Sequence, residues 1–284
     1  LEAHCHVDKL LDLLGMSHCR FPRSAEPLSS GATFTHTTSE TISPGTHFFA
    51  PRRSIARKVR PLVGIAWDEA FSFCYADLPA LIAELGAETV FFSPLRDPAP
   101  PTGCVGLYFP GGYPELYAPA LRANMSMITF LHRLAAQGMP MYGECGGYIY
   151  LMQAVTVNGV RHAMSGLLPR SCTLGKERVA LGYRAARALP GWPVSGKELR
   201  QPLWVRGHEF HYALEDLGES ETDGGSPFSS GAGVPLWKLH DSSGALLYDD
   251  GCRCGAVAGS WLHCYPEGSR RFWKLWLRTL LDRN

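Results

Sequence analysis

The sequence predicts a three-layer α/β sandwich with a mixed, mainly parallel sheet. Short apolar runs, of the kind that form strands buried on both faces, alternate with segments whose apolar residues recur at helical spacing. Glycine and proline mark the boundaries between the two kinds of segment. A strand, a helix and a second strand in this order form a parallel crossover, so the pattern predicts helices on both faces of one sheet.

The first half of the sequence shows this alternation most clearly. Residues 62–67 (LVGIAW) are an uninterrupted apolar run, which predicts a fully buried strand. Residues 78–85 carry leucine and isoleucine at helical spacing, and Gly86 follows as a typical helix stop. The other predicted elements of this half are strands at 89–92, 105–109 and 139–142, a long amphipathic helix at 117–137, and a helix after residue 145.

Strands predominate in the second half. A stretch rich in glycine and serine, residues 218–233, predicts a surface loop among them. The predicted elements are strands at 179–189, 203–214, 237–248 with a turn at 241–244, and 256–262, and a closing amphipathic helix at 270–281.

Composition divides the chain into two parts. Residues 1–60 are rich in serine, threonine, proline and glycine, which predicts a largely irregular linker. Residues 61–284 contain the periodic segments and are predicted to form one domain. His4 and His6 have no second group of ligands nearby, so we favour a linker over a metal site there.

Charge and cysteine content exclude several classes of function. The 284 residues have a formal net charge of +1, which predicts neither a nucleic-acid partner nor an acidic membrane partner. No apolar run approaches the roughly 18 residues of a membrane span. The nine cysteines are odd in number and irregularly spaced, so they indicate a reducing cytoplasm rather than a secreted disulfide framework.

The segment GECGG, residues 143–147, has the form of a catalytic elbow. It lies where a predicted strand becomes a helix, and it has the pattern glycine, any residue, nucleophile, any residue, glycine. Glycines are needed there because side chains would clash with the strained backbone of the nucleophile. The start of a helix favours a thiolate, and the Gly146 amide can hold an oxyanion. We therefore predict that Cys145 is a nucleophile rather than a buried structural cysteine.

His263 is the predicted base for Cys145. It follows the apolar run at 256–262, so it should emerge at the sheet edge where the elbow opens. A thiol that transfers acyl groups needs such a base. Glu267, four residues later, is a candidate third member of a triad, and a cysteine–histidine dyad without a third member is the alternative.

Two adjacent glycines, Gly111 and Gly112, follow the predicted strand at 105–109. Their backbone can approach a ligand closely, and Gly112 could supply a second oxyanion donor beside Gly146. A plain turn is the alternative for this pair.

Two further groups of residues resemble metal sites, but we predict no metal at either. His208 and His211 are three apart on a predicted strand, which points their side chains to opposite faces. A zinc site at Cys252 and Cys254 would need His263 and Cys264 as the other two ligands. Adjacent residues on a strand point to opposite faces, so His263 and Cys264 could not both bind the metal.

Seven segments in order resemble the glutamine amidotransferase domains of cobyrinic acid a,c-diamide synthase and cobyric acid synthase, most closely the former. These domains belong to class I of the glutamine amidotransferases. The similarity runs from about residue 60 to the C-terminus. The segments are DEAFSFCYAD at 68–77, ELGAETVFFSPLRD at 84–97, LYFPGGYPEL at 107–116, GECGGYIYL at 143–151, LGYR at 181–184, RGHEFHY at 206–212 and GSWLHCY at 259–265.

The resemblance implies roles for the residues that match these segments. Cys145 matches the nucleophile that forms a γ-glutamyl thioester with glutamine, and His263 matches its base. Gly111, Gly112 and Gly146 match the oxyanion and substrate-binding region. The ammonia released would pass to a synthetase domain that uses ATP and Mg²⁺ to activate the a and c carboxylates of a corrinoid.

The resemblance also implies partners. A synthetase domain normally precedes this one, yet the sequence begins at Leu1 and contains no G-x-x-x-x-G-K-[ST] phosphate-binding loop. We therefore expect a synthetase domain that is fused or separate, and no cofactor in this segment. Glutamine and a corrinoid are the expected substrates, and a homodimer is an allowed assembly.

Other functions fit the same residues. The glutaminase could serve another tetrapyrrole amidase, such as cobyric acid synthase. The domain could also be a non-catalytic interaction domain that retains the fold, or a cysteine peptidase built on the same elbow.

Overall fold

A computed structural model describes residues 60–176, 179–193, 201–216 and 233–281. The predicted linker lies outside these ranges except for Arg60, and the predicted loop at 218–233 lies outside except for Gly233. No helix in the described ranges has both the length and the apolar character needed to cross a membrane.

The strands and helices of the described residues follow the predicted alternation in the first half. The strands are β1 (Leu62–Ala66), β2 (Glu88–Phe92), β3 (Cys104–Phe109), β4 (Met141–Glu144), β5 (Ala154–Val157), β6 (Val160–Ala163), β7 (Ser171–Leu174), β8 (Ala180–Ala188), β9 (Trp204–His211), β10 (Ala213–Glu215), β11 (Trp237–His240), β12 (Leu246–Asp250), β13 (Cys252–Cys254), β14 (Val257–Ser260) and β15 (His263–Cys264). The helices are α1 (Leu78–Glu84), α2 (Ala118–Ala123), α3 (Met125–Ala136), α4 (Gly146–Leu151) and α5 (Arg270–Leu281), with 3₁₀ turns at Pro114–Tyr117 and Glu267–Ser269.

A six-stranded sheet forms the centre of the fold. Its order is β13-β14-β4-β3-β1-β2, and every neighbouring pair is parallel except β13 with β14. This confirms the predicted mixed, mainly parallel sheet. Two further sheets extend the fold, with orders β10-β7-β5-β6 and β12-β11-β8-β9-β15.

Alternation along the central strands produces two apolar cores, one on each face of the sheet. On β3, Tyr108 belongs to one core, and its neighbours Leu107 and Phe109 belong to the other. The core on the Tyr108 side is covered by α1 and α5, and the opposite core by α2, α3 and α4. Helices on both faces of the sheet complete the three-layer sandwich that the sequence predicts.

The predicted long helix at 117–137 is wrong, because the structure divides it at Asn124. Asn124 leaves the helical conformation, with φ −78° and ψ 64°. Its side chain accepts a hydrogen bond from the Met127 amide at 3.3 Å, which caps α3. The same side chain donates to the Pro94 and Asp97 carbonyls at 2.9 and 2.8 Å. These tertiary partners come from a distant loop, so helical periodicity could not reveal them.

Short strands were also missed by the sequence patterns. Strands β5, β6 and β7 have only four residues each and face mixed surroundings, so they show no clear apolar period. The predicted strand at 203–214 is divided at Tyr212 into β9 and β10, which belong to different sheets. The predicted turn at 241–244 is confirmed, since the Asp241 carboxylate accepts the Ser243 amide at 2.8 Å.

Asn124→Ala should lower the free energy of unfolding by about 1–3 kcal/mol, because it removes a helix cap and two tertiary hydrogen bonds. Urea unfolding of both proteins measures this difference. Gln137→Ala, an exposed change at the other end of α3, is the control and should change stability little. Equal stabilities of Asn124→Ala and the unchanged chain would contradict this account of the helix break.

Candidate functional site

Cys145 lies on a sharp turn between β4 and α4. Its backbone has φ 49° and ψ −103°, a conformation that a residue with a side chain rarely adopts. Gly147 is packed so closely on the Phe109 carbonyl that a Cβ atom would overlap it. A Cβ atom on Gly143 would lie 2.7 Å from the carbonyl carbon of Gly147. The glycines therefore make room for the strained turn, as the elbow pattern predicts.

The central sheet brings Cys145 and His263 to the same edge. Glu144 on β4 lies opposite Ser260 on the parallel neighbour β14, and the Cys145 amide donates to the Ser260 carbonyl at 2.8 Å. His263 follows three residues after Ser260 and is only 5% exposed. Both side chains line one cavity of about 430 Å³, a volume suited to a small molecule.

One backbone amide is directed at the sulfur of Cys145, and a second lies beside the elbow. The Gly146 amide is directed at it, at the start of α4, where amides have no partner within the helix. Gly112 packs against this turn, because a Cβ atom on Gly146 would lie 2.7 Å from the Gly112 nitrogen. Gly112 has φ 153°, and a Cβ atom there would run into the Ala70 carbonyl. Within the described residues, no backbone hydrogen bond uses the Gly112 amide as donor.

Gly111 has a different position from its neighbour. A Cβ atom on Gly111 would collide with the His263 ring. Its carbonyl accepts a hydrogen bond from the Phe73 amide at 3.0 Å. Gly111 therefore provides space for the imidazole, while Gly112 faces the elbow.

The His263 ring is held by aromatic neighbours. It stacks on the His208 ring with centroids 4.7 Å apart and planes 7° apart, and the Phe73 ring meets it edge-on at 4.8 Å. The backbone pairing of β15 with β9 places His263 directly opposite His208. A hydrogen bond of 3.0 Å between the Tyr75 hydroxyl and Nδ1 of His208 fixes the second ring.

Cys145 and His263 share the cavity, but the described residues contain no hydrogen bond between them. The thiol instead donates to the Phe210 carbonyl at 3.7 Å. Hydrogen bonds between catalytic groups are often long before substrate binds. The arrangement therefore places the two groups in one cavity, with the sulfur turned to β9.

Glu267 does not contact His263 in the described structure. Its side chain is 55% exposed and forms an ion pair with Arg270 at 3.2 Å. No described carboxylate forms a hydrogen bond with the His263 ring. In the described structure, ring stacking rather than a carboxylate holds the imidazole, and the choice between a dyad and a triad stays a prediction.

Burial sets the resting charge of the two groups. It raises the pKa of the Cys145 thiol to about 12, the nearby Glu115 carboxylate adds to this rise, and the Gly146 amide opposes it. Burial lowers the pKa of His263 to about 3, and His208 and His211 act in the same direction. The helix start favours the thiolate as predicted, but the desolvation of the sulfur outweighs it. These pKa values correspond to a neutral thiol and a neutral imidazole at pH 7.

Glu144 connects the elbow to the strand that carries His263. One oxygen accepts the Tyr108 hydroxyl at 2.8 Å, and the other accepts the Cys264 amide at 3.2 Å. The side chain is 1% exposed. Glu144 therefore ties the residue before Cys145 to the residue after His263.

The histidines of the RGHEFHY segment have separate partners. His208 bonds to Tyr75, whereas His211 stacks on Trp261 at 4.4 Å and bonds to the Ala213 carbonyl at 2.9 Å. The sequence patterns did not predict that either histidine contacts His263, the predicted base. The stacking of His208 on His263 depends on the register of two strands that are far apart in the chain.

Two acidic residues of the site were missed by sequence patterns. Glu115 lines the cavity and Glu144 lies beneath it, and both belong to the segments that carry the resemblance. In the sequence, each of the two is a single acidic residue near a pair of glycines. A surface turn would show the same pattern. Among the residues after β1, Asp68 has a structural role, accepting the Ser93 hydroxyl at 2.8 Å, whereas Phe73 reaches the cavity.

The fold is a central, mainly parallel sheet between helices on both faces. The solved structure of PurLQS from Thermotoga maritima superposes with a TM-score of 0.53 and 14% identity. The superposition covers 79% of this chain and 99% of that chain. The chain belongs to the family of CobB/CobQ-like glutamine amidotransferase domains, which it matches over residues 62–270.

Two curated relatives are similar over most of this chain. The hydrogenobyrinate a,c-diamide synthase of Brucella abortus biovar 1 (strain 9-941) is 38% identical over 210 residues, which is 72% of this chain and 44% of the relative. The protein of the same name from Sinorhizobium sp is 37% identical over 217 residues, 75% of this chain and 46% of the relative. The chain spans less than half the length of these relatives. The predicted resemblance is confirmed.

Glu144→Gln should reduce the decrease in the free energy of unfolding that accompanies rising pH. Burial raises the pKa of Glu144 to about 8 from an ordinary value of 4.5, so the folded protein holds its proton more tightly than the unfolded chain. That contribution is fully present below pH 4.5 and is lost as the pH rises through about 8. The amide carries no such proton, so the stability of the variant relative to the unchanged chain should improve from pH 5 to pH 8.

Urea unfolding at several pH values measures this trend. Glu88→Gln removes an exposed carboxylate on β2 and controls for the loss of one charge. Parallel stability curves for Glu144→Gln and the unchanged chain would show that Glu144 does not titrate in this way.

Proposed function

We propose that this domain hydrolyses glutamine at Cys145 and supplies the ammonia for amidation of corrinoid carboxylates. One observation carries the proposal. A cysteine at a strained turn shares a cavity with a buried histidine and with the Gly112 and Gly146 amides. Membership of the glutamine amidotransferase domain family supports glutamine as the substrate of this cavity.

The first half of the proposed reaction forms a thioester. The Cys145 sulfur attacks the carboxamide carbon of glutamine while His263 takes the thiol proton. The carboxamide oxygen becomes an oxyanion and accepts hydrogen bonds from the Gly112 and Gly146 amides. The intermediate collapses when the His263 imidazolium protonates the leaving nitrogen, which releases ammonia and leaves a γ-glutamyl thioester.

The second half regenerates the thiol. His263 takes a proton from water, which attacks the thioester carbon, and the same two amides stabilise the second oxyanion. The thiolate leaves and recovers its proton from His263, which yields glutamate. The steps use the side chains of Cys145 and His263 only, so they require no cofactor.

The proposed reaction requires a small movement of the sulfur. Its hydrogen bond to the Phe210 carbonyl at 3.7 Å holds it toward β9. Rotation about the Cα–Cβ bond of Cys145 would release this weak bond and turn the sulfur toward His263. The ring itself is already held by His208 and Phe73.

The relatives support a proposal for the acceptor of the ammonia. Both matched proteins are hydrogenobyrinate a,c-diamide synthases, and this chain matches less than half of each. We propose that a synthetase part, fused or separate, uses ATP and Mg²⁺ to activate the a and c carboxylates of a cobyrinic acid-type corrinoid. We further propose that the assembly works in the cytoplasm.

Cys145→Ser should abolish ammonia release from glutamine, because a hydroxyl is a far weaker nucleophile than a thiol in the same position. His263→Ala should lower kcat by about 10²–10⁴-fold, the usual contribution of a general base. A coupled assay with glutamate dehydrogenase measures the ammonia.

Cys74→Ser provides the matched control, since Cys74 is a half-buried cysteine that does not line the cavity. It should retain the activity of the unchanged chain. A folded Cys145→Ser variant that still releases ammonia would refute the nucleophile assignment. An unchanged chain that folds, stays inactive with its synthetase partner and leaves glutamine intact would favour a non-catalytic domain.

A further inference from the structure

One carboxylate faces the cavity without a cationic partner. Glu115 is the single acidic residue among the described residues that line the cavity. It lies in the 3₁₀ turn Pro114–Tyr117, three residues after Gly112. Its Oε2 atom is buried and receives no hydrogen bond within the described structure. None of the ion pairs between described residues involves it.

A buried carboxylate oxygen without a hydrogen-bond partner, such as Oε2 of Glu115, is costly for a fold. Most buried polar groups have a partner, and an exception calls for an explanation such as a missing ligand. The cavity also supplies no lysine or arginine among its described lining residues. A cation that enters with the ligand would satisfy Glu115, and burial would strengthen the interaction.

Glutamine carries such a cation at its far end. When its carboxamide carbon lies at the Cys145 sulfur, the α-ammonium group needs an acceptor elsewhere in the same cavity. Glu115 and Cys145 line this cavity together, and the carboxylate is close enough to the sulfur to affect its charge. We propose that Glu115 binds the α-ammonium group of glutamine and thereby selects an α-amino acid as substrate. The inference rests on the proposed function and assigns a specificity residue to it.

Binding of the ammonium group would also affect the nucleophile. Burial raises the pKa of Glu115 itself to about 7, and its carboxylate form is the second cause, after burial, of the raised pKa of Cys145. An ammonium ion that pairs with Glu115 cancels this effect, so substrate binding favours proton transfer from the thiol. The other titratable groups that face Cys145 or line its cavity are Tyr113, Glu144, His208, Glu209, His211, Tyr212 and His263.

The test compares glutamine with glutaramate, which has the same carboxamide and carboxylate but no α-amino group. The unchanged chain should prefer glutamine in kcat/KM. Glu115→Gln should lower kcat/KM for glutamine by about 10- to 100-fold, the range expected for a lost hydrogen bond to a charged group. Its kcat/KM for glutaramate should stay the same or rise, so the preference collapses. Glu115→Asp, which keeps the charge, should retain part of the preference.

Glu88→Gln is the control, because it removes an exposed carboxylate on β2, away from the cavity. It should leave kcat/KM unchanged for both glutamine and glutaramate. If Glu115→Gln lowers kcat/KM for both substrates by the same factor, the side chain has only a structural role and the inference is wrong. If the preference for glutamine is unchanged, another group recognises the ammonium and the inference is also wrong.

A second readout separates this inference from the proposed hydrolysis. Iodoacetamide alkylates Cys145, and bound glutamine should protect the thiol in the unchanged chain but at least 10-fold more weakly in Glu115→Gln. Glutaramate should protect both proteins equally weakly. This readout measures occupancy of the cavity without turnover, so it tests Glu115 even in a chain that releases no ammonia. Equal protection by glutamine in both proteins would overturn the inference.

Discussion

The backbone strain at Cys145 is the constraint on which the site depends. A residue with φ 49° persists only where its surroundings leave no alternative, and here the surroundings are glycines. Gly147 is pressed against β3, and Gly146 is pressed against Gly112. These contacts leave no room for a Cβ atom, so they hold the elbow and the loop after β3 together. The Gly146 amide is consequently directed at the sulfur, and Gly112 from a separate loop packs directly against this turn.

Desolvation governs the chemistry of the cavity. The same burial that raises the pKa of Cys145 lowers that of His263, so the resting pair carries no charge. In the proposed reaction, charge separation would be stabilised by groups that act once substrate is bound, namely the Gly112 and Gly146 amides and the proposed neutralisation of Glu115. Burial also has a cost, because it includes carboxyl groups such as Glu144 that the fold must satisfy.

Sequence periodicity was sufficient for the central sheet, because buried parallel strands and their helices leave a strong apolar pattern. It also placed Cys145 and His263 at one edge, since both follow strand ends in a parallel sheet. Periodicity did not predict the helix break at Asn124, because that break depends on hydrogen bonds from the Asn124 side chain to a distant loop. It also missed the contacts of Glu144 with Cys264 and of His208 with His263. Those depend on the register between strands more than 50 residues apart, which no local pattern contains.

The central claim is that one sulfur, one imidazole and two amides act together on a glutamine carboxamide. A crystal structure of the chain after reaction with a glutamine-like alkylating agent tests this most directly. The account predicts a covalent bond to Sγ of Cys145, with the adduct's oxygen within hydrogen-bond distance of the Gly112 and Gly146 amides. It also predicts that the sulfur has left the Phe210 carbonyl and lies within reach of the His263 ring. An adduct on another residue, or one whose oxygen points away from both amides, would contradict the account.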